Sequence, residues 1–212
     1  MRIRQLIGRI KYGKPLIIVS GLPRSGTSML MRMLEAGGLE VITDRIRGAD
    51  EDNPTGYFEL EQVKDLDKNK DKTWLRQFRG KAVKIISFLL SDLPKDLNYK
   101  VIFVLRDLSE VMASQNRMLA HRGEPVDTSR DEQMAANYTR HLRKVKYLLD
   151  RSPRIDVFYV NHQDVLREPK RQACRIRSFL RRRLDVEAMA AAVNADLYRN
   201  RGPAAAESTP PG

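Results

Sequence analysis

The amino-acid sequence predicts an α/β fold, a three-layer sandwich in which helices cover both faces of a central parallel β-sheet. Three observations support this prediction. Short apolar runs typical of buried strands alternate with longer segments whose apolar residues recur at helical spacing. The chain contains no internal repeat. Its 212 residues, of which 42% are hydrophobic, suffice for one domain with a sizeable core.

The first strand and the first helix are joined by a glycine-bracketed loop. The strand is the apolar run Leu16 to Val19, the loop extends from Gly21 to Gly26, and a helical segment with one apolar face follows. The amides of such a loop point inward, and the helix dipole adds partial positive charge. We therefore expect a phosphate-like group to bind here, which makes the predicted sandwich one of the P-loop nucleotide-binding type.

The loop differs from that of nucleoside triphosphatases. Their pattern, G-x-x-x-x-G-K-[ST], has a lysine that reaches the outer phosphates. Thr27 occupies that position here, and the cation is Arg24, inside the loop. These residues favour a phosphate or sulfate group held by amides, hydroxyls and one arginine, with no obligatory metal. The predicted ligands are Arg24, Ser25, Gly26, Thr27 and Ser28.

A short strand, a loop and a helix are expected after the first helix. Gly37 and Gly38 supply a helix stop, and Leu39 to Thr43 forms the second strand. The polar, turn-rich stretch Asp44 to Gly56 is a loop, and Tyr57 to Leu66 is a predicted helix. Because binding sites are built on loops at strand ends, the polar loop is a candidate part of the site.

Two further strands contain or precede basic residues. Ala82 to Ile86 is an apolar run interrupted by Lys84, which is unusual unless the amine finds a partner at a strand end or in a cleft. Val101 to Leu105 is the clearest buried strand and is followed by Arg106, while Asp107 caps the next helix. Ligands of parallel sheets bind beyond the carboxyl ends of the strands. The glycine loop, the polar loop and these two cations are therefore expected to converge on one cleft.

The last part of the chain completes the alternation. We predict a long helix over Asp131 to Leu149, a core strand over Ile155 to Val160, a basic amphipathic helix over Arg167 to Leu184 and a short helix over Ala188 to Tyr198. The chain is thus divided into a basic N-terminal segment (1–14), a single α/β domain (15–198) and a tail (199–212). The tail has few core-forming residues and is expected to be disordered.

Two separated motifs carry a family resemblance. PRSGTS, from Pro23 to Ser28, resembles the 5'-phosphosulfate loop of the sulfotransferases that use 3'-phosphoadenosine 5'-phosphosulfate (PAPS). RDLSEVMAS, from Arg106 to Ser114, is similar to that family's 3'-phosphate motif, an arginine at a strand end with a serine in the following helix. Phe158 to Pro169 resembles the closing strand and turn of the family, and NPTGYFE, from Asn53 to Glu59, resembles small bacterial members. The likeness extends from Leu16 to Leu180.

The resemblance implies an enzyme that transfers a sulfuryl group from PAPS to a hydroxyl or amine acceptor without a metal. The loop residues would hold the 5'-phosphate and the sulfonate, with Arg24 also in a catalytic role. Arg106 and Ser114 would hold the 3'-phosphate. Lys84 resembles the strand lysine of the family and would neutralise the departing or bridging oxygen. By analogy with phosphoryl transfer, catalysis of this kind is positioning plus electrostatic stabilisation.

The acceptor must also lose a proton, which requires a general base. The resemblance implies either a histidine near the position of Lys84 or a carboxylate in the loop after the second strand. Ser87 stands where such a histidine is expected. Asp44 is therefore the first candidate for the base and Glu59 the second. For both carboxylates, a turn or helix-start role is the competing interpretation.

The charge of the chain constrains its partners. A formal net charge of +12 indicates an anionic partner or surface, although no recognised nucleic-acid motif is present. A polyanionic nucleotide donor accounts for part of this charge. The alternatives to a sulfotransferase are a divergent P-loop nucleotide kinase and a non-catalytic basic module that binds anions or membranes. The acceptor class stays open between a small molecule, a carbohydrate and a peptide.

The N-terminal segment is basic and carries apolar residues at helical spacing, namely Ile3, Leu6, Ile7 and Ile10. It is a candidate for weak contact with an anionic membrane, although packing on its own domain is the favoured interpretation. The single cysteine, Cys174, excludes an intrachain disulfide. No apolar run has the length of a membrane span or the pattern of a signal peptide, so we expect a cytoplasmic protein.

Overall fold

The computed structural model describes residues 12–46, 48, 50, 56–126 and 128–193, and within them five strands form one sheet in the order β2-β3-β1-β4-β5. The strands are β1 (Leu16–Gly21), β2 (Val41–Ile42), β3 (Ala82–Lys84), β4 (Tyr99–Leu105) and β5 (Ile155–Asn161). All neighbouring strands are parallel. The predictions for the tail and for most of the basic N-terminal segment lie outside the described residues.

Helices and 3₁₀ segments connect the strands. The helices are α1 (Thr27–Ala36), α2 (Glu61–Lys64), α3 (Leu108–His121), α4 (Asp131–Arg151), α5 (His162–Arg167), α6 (Pro169–Leu180) and α7 (Val186–Ala191). The 3₁₀ segments are Thr73–Phe78, Ser87–Asp92 and Thr128–Arg130. As expected, Asp107 caps α3, because its side chain accepts a hydrogen bond from the amide of Ser109. None of these helices is long and apolar enough to cross a membrane.

Alternating strand residues pack into two hydrophobic layers. Ile17 and Val19 of β1 contribute to the layer built with α1, α5, α6 and α7. Leu16 and Ile18 contribute to the other layer, together with α4 and two of the 3₁₀ segments. This division follows from the two-residue period of a strand, which sends successive side chains to opposite faces. The predicted three-layer α/β sandwich with a parallel sheet is therefore confirmed.

The predicted helix over Tyr57 to Leu66 is wrong in its first half. Only Glu61–Lys64 is helical, and the residues before it are not. The carbonyl of Glu59 accepts hydrogen bonds from the amide of Asp44 at 3.1 Å and from Thr43 Oγ1 at 2.9 Å. These contacts tie the segment to the end of β2, so the carbonyl of Glu59 is satisfied without a helix. Tertiary contacts have overridden the local helical pattern here.

The predicted basic helix over Arg167 to Leu184 is divided and shorter. It begins at Pro169, the first position of α6, and α5 ends two residues earlier. Proline has no amide hydrogen and disfavours helical geometry in the residue before it, so it starts a helix rather than continuing one. The helix ends at Leu180, and Arg181 follows in a left-handed conformation with φ of 55°. The short helix predicted over Ala188 to Tyr198 is observed as α7, and its residues after 193 lie outside the described part.

Candidate active site

The predicted site residues lie where three neighbouring strands end. In the parallel sheet, Val19 is paired with Lys84 and Gly21 with Val104. One end of the sheet, the one formed by the carboxyl ends of the strands, therefore carries the glycine loop after β1, Lys84 at the end of β3 and Arg106 after β4. We call it the carboxyl edge. This is the edge at which open α/β sheets bind ligands.

The glycine loop has the backbone geometry of an anion cradle. Arg24 and Gly26 both have positive φ, 65° and 100°, and the first hydrogen bond of α1 joins the amide of Leu30 to the carbonyl of Gly26 at 3.3 Å. Amides before that bond have no partner within the helix. Successive amides in such turns form a concave anion site. Ser25 is buried, and its hydroxyl has no hydrogen-bond partner within the described part of the chain.

Only glycine fits at position 26. A Cβ there would lie 2.4 Å from Cδ2 of His162, in addition to the strain of the positive φ. His162 is the first residue of α5 and lies beneath the loop. Its role in packing agrees with the absence of any site motif around it in the sequence.

The two predicted phosphate motifs are in direct contact. Nε of Arg24 donates a hydrogen bond to Oγ of Ser114 at 3.0 Å. Nη1 of Arg106 donates a hydrogen bond to the carbonyl of Arg24 at 2.9 Å. Two guanidinium groups and a buried hydroxyl from segments about 90 residues apart thus converge at one place. Such a group of donors suits a phosphate.

A carboxylate that the sequence analysis did not single out orients Arg106. Oε2 of Glu110 accepts a hydrogen bond from Nε of Arg106 at 2.9 Å, and both side chains are almost fully buried. The other oxygen, Oε1, accepts a hydrogen bond from Nε2 of Gln163 at 2.7 Å. A buried charge of this kind requires such partners. The signal in the sequence was the four-residue spacing of Arg106 and Glu110, which places them on one face of a helix start.

His162 lies near the same cluster and is held neutral. Its side chain is buried, and burial lowers the pKa of His162 to about 4, with the positive charge of Arg106 as a further cause and Glu110 acting in the opposite direction. A neutral imidazole avoids placing a third positive charge beside the two arginines.

We expect the stability of the protein to decrease as the pH falls from about 6.5 to about 4. In that range the unfolded chain binds a proton at His162 that the folded chain does not bind. At about pH 5 the loss attributable to His162 is ~2 kcal/mol relative to neutral pH. Urea denaturation at both pH values measures it. The control is a His162→Gln variant, which keeps His141 and therefore keeps its contribution to the pH dependence. An unchanged pH dependence of stability in this variant would contradict the assignment to His162.

Lys84 connects the strand end to the glycine loop through one carbonyl group. Nζ of Lys84 donates a hydrogen bond to the carbonyl of Tyr57, and Oγ of Ser28 donates to the same carbonyl at 3.3 Å. The lysine is buried, with 8% of its side chain exposed. Residue Phe58, next in the chain, has φ of 50°, which is strained for a side chain of its size. The polar loop is therefore held against both Lys84 and α1.

Glu59 lies between two lysines. Its Oε1 is 3.5 Å from Nζ of Lys84, and its Oε2 is 3.5 Å from Nζ of Lys64. The carboxylate is partly accessible, with 23% of its side chain exposed. It thus reaches solvent at the carboxyl edge while remaining beside the buried lysine.

Asp44 makes contacts typical of a capping residue. Its Oδ1 accepts a hydrogen bond from the amide of Ile46 at 3.0 Å, and its Oδ2 accepts one from the amide of Glu61 at the start of α2 at 2.5 Å. These hydrogen bonds, first that of Glu61 and then that of Ile46, lower the pKa of Asp44. Both oxygens of this carboxylate are therefore engaged with the backbone.

A histidine reaches the end of β3 from a distant helix. Oγ of the buried Ser87 is 2.9 Å from Nε2 of His141 on α4, and the imidazole stacks on Phe88 with 3.9 Å between ring centroids. Burial lowers the pKa of His141, and the charge of Lys144 lowers it further. The contact could not be read from spacing, because the two residues are 54 positions apart.

The donors at this edge fit a ligand with two phosphate-like ends. The hydroxyl of Ser25 is buried without a partner in the described residues, beside the amides that open α1. Arg24, Arg106 and Ser114 form a second set of donors adjacent to it. Together the two sets comprise cations, hydroxyls and amides, which are the groups that bind phosphate and sulfate.

Comparison with known proteins agrees with this geometry. The family model of the sulfotransferase domain matches residues 14–198. The chain is similar in structure to a sulfotransferase domain from the curacin biosynthetic pathway, with 16% identity, coverage of 90% of this chain and 92% of that chain, and a TM-score of 0.53. It is also similar to a sulfotransferase from Alicyclobacillus acidocaldarius, with 18% identity, coverage of 87% and 88%, and a TM-score of 0.52. No curated protein matches the sequence.

Proposed function

The chain belongs to the sulfotransferase domain family. From this premise we propose which residues of this PAPS-dependent sulfotransferase bind the donor, which stabilise charge and which takes the proton of the acceptor. The enzyme transfers a sulfuryl group from PAPS to an acceptor. The observation that carries the residue assignment is the pair of hydrogen bonds joining Arg106 to the Arg24 carbonyl and Arg24 to Ser114. They unite the loop and the 3'-phosphate motif in one donor cluster.

The loop and the cluster would hold the two ends of the donor. The amides at the start of α1, with Ser25, Thr27 and Ser28, would bind the 5'-phosphosulfate. Arg106 and Ser114 would bind the 3'-phosphate, with Glu110 holding the guanidinium of Arg106 in place. When bound, PAPS supplies an activated sulfuryl group on its 5'-phosphate. No metal is required in this proposal, because arginines, hydroxyls and amides supply the counter-charge.

We assign the general base to Glu59 rather than to Asp44. The oxygens of Asp44 accept hydrogen bonds from two backbone amides, and its pKa is lowered by them. Both facts weaken its ability to take a proton. Glu59 is partly exposed and lies 3.5 Å from Lys84. It is therefore better placed to accept the proton of a hydroxyl or amine acceptor.

Lys84 is proposed to stabilise negative charge on the oxygen that departs during transfer. A buried ammonium group at a strand end is expensive unless it has partners, and Lys84 has the Tyr57 carbonyl and Glu59. Its hydrogen bond to that carbonyl, which also binds Ser28, aims it toward the loop. Arg24 would add positive charge from within the glycine loop. Fixed charges of this kind act without reorganisation during the reaction.

The acceptor is a small molecule in this proposal. It would enter between Glu59 and the aromatic group formed by Phe88, Tyr138 and His141, in which Phe88 lies 6.3 Å from Tyr138 between ring centroids.

The family match does not favour a nucleotide kinase or a non-catalytic module. Location in the cytoplasm remains a prediction from the sequence.

The proposed function is tested by binding of the product nucleotide 3',5'-adenosine bisphosphate (PAP). Calorimetric titration in the presence of EDTA is expected to show saturable binding of PAP. ATP with magnesium is expected to bind at least ~10-fold more weakly, because it lacks the 3'-phosphate that Arg106 and Ser114 recognise. Absence of PAP binding, together with saturable binding of ATP with magnesium, would rule out the proposal.

A further inference from the structure

A group of arginines lies at the amino ends of the strands, whereas the active site lies at their carboxyl ends. Arg177, Arg181, Arg182 and Arg183 are located at and just after the end of α6. We call them the arginine edge. Nη2 of Arg182 is 3.4 Å from the carbonyl of Gly80, which precedes β3, and Nζ of Lys100 in β4 donates a hydrogen bond to the carbonyl of Phe179. These contacts place the arginine edge at the amino ends of the strands.

Positive charge exceeds negative charge at the arginine edge in the described part of the chain. Among the described residues, none of its four arginines forms an ion pair. Burial lowers the pKa of Lys100; Asp156 acts in the opposite direction, and Arg181 and Arg182 lower it further. The nearby acidic residue Asp185 instead caps α7 through the amide of Ala188 at 3.0 Å. Like charges gathered in this way repel one another unless an external anion neutralises them.

The arginine edge borders a surface pocket. The pocket has a volume of about 520 Å³ and is lined by Arg177, Ser178, Arg182, Arg183, Leu184 and Asp185. Its three arginines outnumber its single carboxylate. Arg181 next to it adopts a left-handed backbone with φ of 55°, a conformation that is usually left to glycine. The pocket has the size and the charge to receive an anionic head group.

The start of the described chain lies at the same edge. A Cβ on Gly13 would be 3.8 Å from the Arg79 side chain, and one on Gly80 would be 3.6 Å from Lys14. The sequence before Gly13 combines basic residues with apolar residues at helical spacing, Ile3, Leu6, Ile7 and Ile10. Lipid surfaces attract that combination, whereas nucleic acid would engage only the charge.

We propose that the arginine edge and its pocket form a docking surface for an anionic phospholipid membrane. The arginines of the edge would contact lipid phosphates, and the pocket would receive one head group. Because the active site lies at the other end of the strands, a docked molecule would keep that site open to the aqueous phase. Docking would therefore allow the acceptor to be modified near the membrane surface.

Vesicle sedimentation tests the proposal with the full chain. We expect binding to vesicles of phosphatidylcholine mixed with phosphatidylglycerol, weakening with salt, and little binding to phosphatidylcholine alone. Reversal of two exposed charges in R177E/R183E is expected to weaken vesicle binding by at least ~30-fold. The control R140E/R143E has the same change in net charge on the exposed surface of α4 and is expected to retain most of the binding. Thermal denaturation of each variant reports whether it is folded.

Several results would overturn the proposal. One is equal binding to the neutral and anionic vesicles, or no binding to either at low ionic strength. Another is an equal loss of binding in R140E/R143E, which would indicate attraction by net charge alone. If a DNA duplex bound more tightly than the vesicles and R177E/R183E lost that binding, the edge would be a nucleic-acid surface instead. If R177E/R183E does not fold, R177Q/R183Q takes its place, with an expected loss of ~10-fold or more and the same control.

Discussion

Replacement of Glu59 by glutamine is expected to lower the turnover number of sulfuryl transfer about 10²–10⁴-fold. The substitution keeps the size of the side chain but removes the ability to take a proton from the acceptor. PAP binding is expected to be unchanged, because Glu59 does not belong to the donor cluster around Arg106. Turnover with a fixed acceptor, measured beside calorimetry with PAP, separates the two effects. The acceptor is first chosen by a screen with labelled sulfate donor.

Asp44→Asn is the matched control for this prediction. The amide side chain keeps one acceptor for the amides of Ile46 and Glu61, so we expect a loss of about 1 kcal/mol in stability and little change in turnover. If the Asp44 variant lost turnover and the Glu59 variant kept it, the base would be Asp44. Retained turnover in both variants would exclude a carboxylate base at either position. His141, beside Ser87, would then be the next residue to replace.

Replacement of Arg106 by alanine is expected to weaken PAP binding about 10²–10³-fold. The 3'-phosphate would lose the hydrogen bonds proposed to come from the guanidinium, and the loop carbonyl of Arg24 would lose its donor. The substitution also leaves Glu110 as an unpaired buried charge, which is expected to reduce stability by about 3–5 kcal/mol. Calorimetry and urea denaturation measure the two consequences.

A double variant separates binding from stability. In R106M/E110Q no charge is left buried, and the glutamine can still accept the hydrogen bond of Gln163. We expect stability close to that of the parent protein and PAP binding as weak as in the single variant. Recovery of PAP binding in the double variant would show that Arg106 acts only through folding. R106K keeps the charge but not the planar fork. Its affinity for PAP is expected to lie between those of the parent protein and the alanine variant.

Much of the fold could be predicted because its signals are local. The buried runs of β1 and β4, the cap at Asp107 and the helical period of α4 depend on residues close in sequence. The segment from Tyr57 to Leu60 was mispredicted for the opposite reason. Its backbone is held by Thr43 and Asp44, residues from another part of the chain. No local pattern reports such contacts.

The candidate site shows the same division. Arg24 and Arg106 were recognisable because glycine loops and strand ends place particular residue types at particular positions. The buried Glu110 had a weaker signal, a four-residue spacing that occurs on any helix. The contact of His141 with Ser87 had no signal, since α4 had to be positioned against the sheet before the two could meet.

The sequence by itself determined the α/β class, the family motifs and the kinds of hydrogen-bond donor at the candidate site, because these depend on residue type and short-range spacing. Only the tertiary structure decided which contacts the carboxylates make. It placed the oxygens of Asp44 on backbone amides and left Glu59 beside Lys84. It also placed the arginines at and just after the end of α6 at the amino ends of the strands, away from the site. Packing sets which partner each charge meets, because many of the partners come from distant parts of the chain.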